Sequence, residues 1–302
     1  MTPEAGLQAV TVIFPTLARQ DRARFLQRAI ASVLSQEGVR AGPLVVINGD
    51  ECDPGVVREL NAEPRIRVTS VPERGIPEAL RAGRDLVDTP WFSRLDDDDV
   101  MLPGALALRL ATLEAQPGLD AVVTNGYRRD ASGDTLHVTD SSAVQRDPLA
   151  ALLTSNWLLP GSWLCRTTSI GSDIFRDAPH ALECTYLAVQ LASRHRMLFL
   201  EQPTVVWHTD TPGSESKSRE WHLGEADALV RILELELPGD FRESIRQRIA
   251  PACHSAASRF LAEGSPAEAW RWHLRSLKEP GGWQYLLYTR YVLAGLARRR
   301  SA

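Results

Sequence analysis

Apolar and polar positions along the chain change rhythm several times. Ala9-Val-Thr-Val-Ile-Phe14 is an almost unbroken apolar run closed by Pro15-Thr16, and it predicts a strand. Phe25, Leu26, Ala29, Ile30, Val33 and Leu34 then recur at the spacing of one helical face, with Gly38 as the stop. Residues 43–47 are apolar throughout, as a strand covered on both faces should be, and Asn48-Gly49-Asp50 forms a loop at its carboxyl end. The same reading predicts strands at residues 65–69, 90–95, 120–124, 197–200 and 204–208, and helices at 78–87 and 103–114. Residues 128–160 are less regular, and the polar stretch 209–218, with Pro212-Gly213, predicts a mobile loop. From about Glu220 onward the pattern is helical, broken at Pro238-Gly239, Gly264-Ser-Pro266 and Pro280-Gly-Gly282.

Strands alternating with helices at short spacing predict an α/β fold, a mainly parallel sheet flanked by helices. Residues 1–218 form that domain and 219–302 a C-terminal helical region. Ligands of such sheets bind beyond the carboxyl ends of the strands. The acidic run Asp96-Asp97-Asp98-Asp99 stands there, directly after a strand.

Four adjacent carboxylates repel one another unless something positive joins them. On an extended backbone Asp96 and Asp98 face one side and Asp97 and Asp99 the other. Two converging carboxylates suit a hard divalent cation that bridges a diphosphate. A solvated acidic loop is the bland reading, although the run is framed by an apolar strand and Val100-Met-Leu-Pro103. Val100 and Pro103 break the pattern of an EF-hand calcium loop. Asp96-x-Asp98-x-Val100 superficially suits a haloacid-dehalogenase-type phosphatase, but several strand–helix units precede it where that family has its first strand.

The net charge of −4 argues against a nucleic-acid partner. The four cysteines form no C-x-x-C pair, hence no zinc signature and no disulfide framework. No secretory pattern is visible in residues 1–10, and apolar stretches such as 291–297 fall short of the ~20 residues that span a bilayer. The expectation is a cytoplasmic protein, with surface association to membrane left open.

Val10-Thr-Val-Ile-Phe-Pro-Thr16, Ala31-Ser-Val-Leu-Ser-Gln36, Arg74-Gly-Ile76, Leu95-Asp-Asp-Asp-Asp-Val-Met-Leu-Pro103 and Trp207-His-Thr-Asp-Thr-Pro-Gly-Ser214 follow in an order and spacing that resemble family 2 glycosyltransferases of the GT-A fold. The resemblance implies an inverting transferase using a divalent metal, Mn²⁺ or Mg²⁺. Its donor would be a nucleotide-diphosphate sugar, a UDP-sugar being favoured, and its acceptor a saccharide or lipid-linked saccharide. Pro15 and Thr16 would line the nucleotide pocket, with Asn48, Asp50 and Arg74 also on the nucleotide-sugar side. Asp96 and Asp97 would lie near the ribose and diphosphate. Asp98 would hold the metal, and His208 would approach it; a strand-end histidine bonded to backbone is the alternative for His208.

The chain departs from the family pattern in three places. Asn48-Gly49-Asp50 replaces a paired acid, and Leu80-Arg81-Ala82-Gly83 replaces an Arg-Asn before glycine. Glu183-Cys184 stands where the family carries a Glu-Asp pair with the catalytic base. Cys184, Leu187, Ala188, Leu191 and Ala192 share one apolar helical face, which favours Cys184 as a packing residue over a nucleophile. Glu183, about 100° around the helix, becomes the candidate base, with a surface glutamate in the first turn as its alternative. Residues 156–163 align with the acceptor-side loop, and Trp157 is the candidate for stacking on a sugar, against ordinary core packing. The last stretch, 283–300, reads either as a peripheral membrane contact or as a helix docked on its neighbours. Loss of the base also leaves room for a non-catalytic nucleotide-sugar-binding protein of the same fold.

Overall fold

The first apolar run forms β1 (Ala9–Thr16), buried at every position from Val10 on. A strand buried on both faces belongs inside a sheet that is itself covered on both sides. β1 pairs in parallel with β2 (Arg40–Asn48) on one side and β4 (Trp91–Arg94) on the other, and β2 pairs in parallel with β3 (Arg67–Val71). β8 (Trp163–Arg166) runs antiparallel between β4 and β6 (Ala121–Asp130), and β6 carries β9 (Met197–His208) in parallel. The short strands β5 (Val100–Met101) and β7 (Gly133–Leu136) add antiparallel to β9 and β6. The order is β3-β2-β1-β4-β8-β6-β9-β5, with β7 beside β6. β1, β2, β3, β4, β6 and β9 therefore share one direction, the mainly parallel α/β sheet expected.

The alternation along β1 sorts the helices onto the two faces. Val10, Val12 and Phe14 join one core with Leu26, Ile30 and Val33 of α1 (Ala23–Leu34), Leu60 of α2 (Pro54–Ala62) and Leu110 of α4 (Ala105–Ala115). Ile13 points the other way, toward α3 (Ile76–Asp85). A Cβ on Gly83 would stand 2.6 Å from Ile13 Cγ2 and 3.0 Å from Val46 Cγ2, so glycine lets α3 descend onto β1 and β2.

The computed structural model describes residues 6–214 and 217–300, of which 298–300 by backbone only. Residues 1–5, residues 215 and 216 of the expected loop, and the side chains of Arg298–Arg300 lie outside the described residues. The chain divides into two compact units, Met1–Ala178 with Glu183–Ser214 and Pro179–Leu182 with Glu215–Ala302. Among the described residues, the second holds α8 (Arg219–Leu233), α9 (Gly239–Ala262), α10 (Pro266–Lys278), a 3-10 helix (Gly282–Tyr288) and α11 (Thr289–Arg300). No described helix is long and apolar enough to cross a membrane.

Several details differ from the expectation. The two late strands are one continuous strand, β9, whose ladder to β6 shifts register around Asn125. The irregular stretch holds β7, α5 (Ser141–Arg146) and α6 (Pro148–Ala151). α2 was not foreseen: the Asp53 carboxylate caps it, accepting from the N–H groups of Gly55 (2.7 Å) and Val56 (3.1 Å), and Pro54 fills the first turn.

Candidate functional site

The strand order reverses at β1, with β2 and β3 on one side and β4 on the other. The crevice beyond the carboxyl ends at such a point is where open α/β sheets bind ligands. β1 ends at Thr16, β2 at Asn48 and β9 at His208, while β4 stops two residues before Asp96.

The acidic run crosses this crevice as a turn, closed by the Asp99 N–H donating to the Asp96 carbonyl at 3.2 Å. The extended backbone expected there is thus corrected, and with it the pairing of Asp96 with Asp98. Asp97 and Asp98 instead share one cation. Arg22 donates Nε to Asp97 Oδ1 at 3.1 Å, pairs with the same oxygen through Nη2, and holds Nη2 3.1 Å from Asp98 Oδ2. Thr16 Oγ1 donates to Asp97 Oδ2 at 2.6 Å, joining the ends of β1 and β4. The Asp98 carbonyl accepts from Arg28 Nη2 at 2.6 Å. Arg22 Nη1 also reaches the Pro212 carbonyl at 3.4 Å, so the same side chain touches the loop after β9.

Asp96 turns toward a second cation. Arg94, 1% exposed, donates Nη2 to Asp96 Oδ1 at 2.8 Å and to Glu183 Oε1 at 3.4 Å. Burial acts to lower the Arg94 pKa, but the charges of Asp96 and Glu183 raise it on balance and keep the guanidinium ionised. Burial, reinforced by the Asp98 and Glu183 charges, pushes the Asp96 carboxyl up to about 6 against the pull of Arg94. Burial also raises Asp97, with Arg22 opposing it. Asp99 lies well above the usual carboxylate range through burial and the Asp98 and Asp96 charges.

The end of β9 completes the group. The His208 N–H donates to Asp99 Oδ1 at 2.9 Å, whereas Asp99 Oδ2 and His208 Nδ1 are buried with no hydrogen-bond partner among the described residues. Burial lowers the His208 pKa, and Arg28 and Arg129 add to the effect, so the imidazole is neutral and competent as a ligand. Asp96–Asp99 and Glu183 bring five carboxyl groups together, against the guanidinium groups of Arg22 and Arg94, which pair with them, and of Arg28, which binds the Asp98 carbonyl. The carboxyl groups outnumber the guanidinium groups around them, five to three.

The profile of the family described as "Glycosyl transferase family 2" matches residues 11–165, just over half of the 302 residues. The chain belongs to that family. The match runs from within β1, through the acidic run, into β8. The succinoglycan biosynthesis protein ExoO of Rhizobium meliloti (strain 1021) is 30% identical over 165 residues, covering 52% of this chain and 46% of the relative. This family 2 chain thus spans about half the length of that relative. Among solved structures it is similar to S. aureus TarS 1-349 in complex with UDP-GlcNAc, with a TM-score of 0.59 and 14% identity over 90% of this chain and 81% of that one. The TarS 1-349 complex with UDP gives 0.55 and 11% identity over 98% and 92%. At these identities the likeness is one of fold, the GT-A arrangement.

The family 2 chain gathers Thr16, Asp97 and Asp98 at Arg22 and Asp96 and Glu183 at Arg94, with His208 joined to the same turn through Asp99. Pro15 is buried in β1, opposite Val46. Asn48 spends its amide on structure, donating to the Thr16 carbonyl at 3.0 Å and accepting from the Gly75 N–H at 3.0 Å. Asp50 and Arg74 are exposed beyond β2, where Arg74 pairs with Glu51 at 2.5 Å. Trp157 is corrected: it is 1% exposed, donates Nε1–H to the Pro148 carbonyl at 2.7 Å and lies edge-on to Phe199, so no ring face is open to a sugar. Cys184 is half-buried at the start of α7 (Glu183–Arg194), with Sγ 3.3 Å from Glu183 Oε1. Burial, with the Glu183 charge, pushes its thiol pKa well up, which keeps it protonated. Arg22, Arg28, Arg94 and Glu51 were not singled out from the sequence.

Proposed function

We propose that this chain is an inverting, metal-dependent glycosyltransferase that moves a sugar from a nucleotide-diphosphate sugar to an acceptor hydroxyl. The observation that carries the reading is the surplus of carboxylates at the β1–β4 switch point. A divalent cation bound with a diphosphate offsets such a surplus. Asp98 and His208 are the residues proposed to hold Mn²⁺ or Mg²⁺, which would supply charge neutralisation for the departing diphosphate. Among the described residues no three His, Cys, Asp or Glu groups form a metal cage. Two protein ligands plus phosphate oxygens still suffice for such an ion. Nδ1 of His208, without a hydrogen-bond partner among the described residues and 3.9 Å from Asp99 Oδ1, supports that role.

The remaining residues divide the work. Asp97, fixed by Arg22 and Thr16, shapes the wall facing the ribose and diphosphate. Pro15 and Thr16 form its floor, and Asn48 holds that floor to the loop before α3. Asp50 and Arg74 form an exposed rim beyond β2 that suits a base. Glu183 takes the proton of the acceptor hydroxyl as its oxygen bonds to the anomeric carbon. The bond from that carbon to the donor phosphate breaks, and its electron pair leaves with the nucleoside diphosphate. Arg94 orients Glu183 and Asp96 from beneath. Glu183 and Arg94 also line a small cavity with Leu80, Phe175, Tyr186 and Leu187.

UDP-GlcNAc and UDP in the TarS complexes support a UDP-sugar as donor. The acceptor is proposed as a saccharide or lipid-linked saccharide. Residues 1–218 are proposed as the catalytic domain and 219–302 as its helical appendage. Four free cysteines support a reducing, cytoplasmic compartment. Cys184, standing where the resemblance implies the base, favours one competing reading, a nucleotide-sugar-binding protein without catalysis. UDP release from UDP-sugars, assayed across saccharide acceptors, separates the two. Glu183→Gln is expected to lower turnover by about a hundredfold while leaving UDP affinity unchanged. Unaltered turnover would remove Glu183 as base, and no turnover by wild type with any donor would leave the binding protein.

A further inference from the structure

The second unit carries a feature unrelated to sugar transfer. Among the described residues nine large apolar side chains are exposed, and five of them, Trp283, Leu286, Leu287, Tyr291 and Leu293, fall within eleven consecutive positions. Trp283 is 72% exposed and Leu287 78%. A cluster of this kind marks a contact surface, whereas single exposed leucines are ordinary.

The segment is held in place from its inner side. Tyr285 stacks on His254 with ring centroids 4.0 Å apart, and Tyr288 meets the rings of His254 and His273. Thr289 Oγ1 lies 2.8 Å from His273 Nε2, and Val292 is wholly buried in a cluster with Phe260 and Ala269. A Cβ on Gly282 would stand 1.9 Å from the Ser276 carbonyl oxygen, so this end also sits directly on α10. The apolar side chains thus face outward from a docked element.

Charge selects the occupant. Residues 280–302 contain Arg290, Arg298, Arg299 and Arg300 and no Asp or Glu, within a chain of net charge −4. Arg290 is exposed, lies 4.7 Å over the Tyr291 ring and donates to its hydroxyl at 2.8 Å. Apolar and aromatic side chains in a stretch whose charged residues are all arginines match a surface that is greasy below and negative above. Tryptophan and tyrosine favour the headgroup level, and arginine reaches up to phosphate. A two-fold dimer through the same face would instead bring the same arginines of both copies together.

We propose that residues 283–300 form an interfacial segment that docks this protein on anionic lipid bilayers, lying in the surface and not crossing it. The proposal does not depend on the catalytic reading. The test is sedimentation of the full chain with phosphatidylcholine vesicles, with and without phosphatidylglycerol. Binding is expected with phosphatidylglycerol, weakening as salt is raised. Each of Arg290, Arg298, Arg299 and Arg300 replaced by Gln should cost about fivefold in partitioning. The exposed double variant Trp283→Ser/Leu287→Ser should lose at least about tenfold without a change in Tm. Three results would overturn the proposal: no sedimentation of wild type, equal sedimentation of the double variant, or a concentration-dependent dimer in light scattering that the double variant abolishes while vesicles bind neither.

Discussion

Asp98→Asn is expected to lower sugar transfer by at least about a thousandfold, with Tm close to wild type. Asparagine keeps the shape of the side chain and removes the charge. Arg22 still holds Asp97 through Nε and Nη2, and Thr16 still binds the other Asp97 oxygen, so the turn keeps its main supports. What is lost is the charge of the carboxylate that lies 3.1 Å from Arg22 Nη2 and that the proposed function assigns to the cation. The effect belongs in kcat and in metal dependence, because charge builds on the leaving diphosphate only as the bond breaks. Steady-state kinetics with Mn²⁺ titrated on both proteins measures it. Near wild-type turnover in the variant would exclude Asp98 as the metal holder.

Arg94→Leu carries the largest expected effect on stability. Arg94 is almost wholly buried and binds two carboxylates that are themselves largely enclosed, Asp96 and Glu183. Removing one partner of a buried ion pair leaves uncompensated charge and costs about 3–5 kcal/mol. Against a total stability of about 5–15 kcal/mol, that loss is severe, and a fall in Tm of roughly 10 °C follows. Arg94→Lys keeps the charge but not the two-pronged geometry, so it should lie between wild type and leucine. Thermal and urea unfolding of the three proteins decides the matter. Equal stability of Arg94→Leu and wild type would mean that the two carboxylates are hydrated or protonated and that Arg94 does not hold them.

Much of the framework was legible because burial on both faces writes itself as unbroken apolar runs. β1 and β2 are such runs, and the face of α1 repeats at helical spacing. The position of Asp96–Asp99 followed from β4 ending just before it. The internal arrangement did not follow, because a turn and an extended strand place alternate side chains differently, and only the Asp99–Asp96 backbone bond distinguishes them. Arg94 had a readable sign: an arginine inside the apolar strand Trp91-Phe-Ser-Arg94, directly before acids, is costly unless paired. Arg22 had none, since it lies in a polar stretch 75 positions away from Asp97 along the chain. α2 was readable from Asp53-Pro54, a capping pair. Trp157 could not be assigned from its neighbours, because a sugar-stacking tryptophan and a core tryptophan share the same apolar ring.

The central claim is that the acidic turn binds a nucleoside diphosphate through a divalent cation. Isothermal calorimetry of UDP with the wild-type chain, in Mn²⁺ and then in EDTA, tests it most directly. Binding in Mn²⁺ that disappears in EDTA is the predicted result. UDP binding of equal affinity in EDTA would contradict the role of the cation, and no binding of UDP, GDP, CDP or dTDP under either condition would contradict the nucleotide site itself.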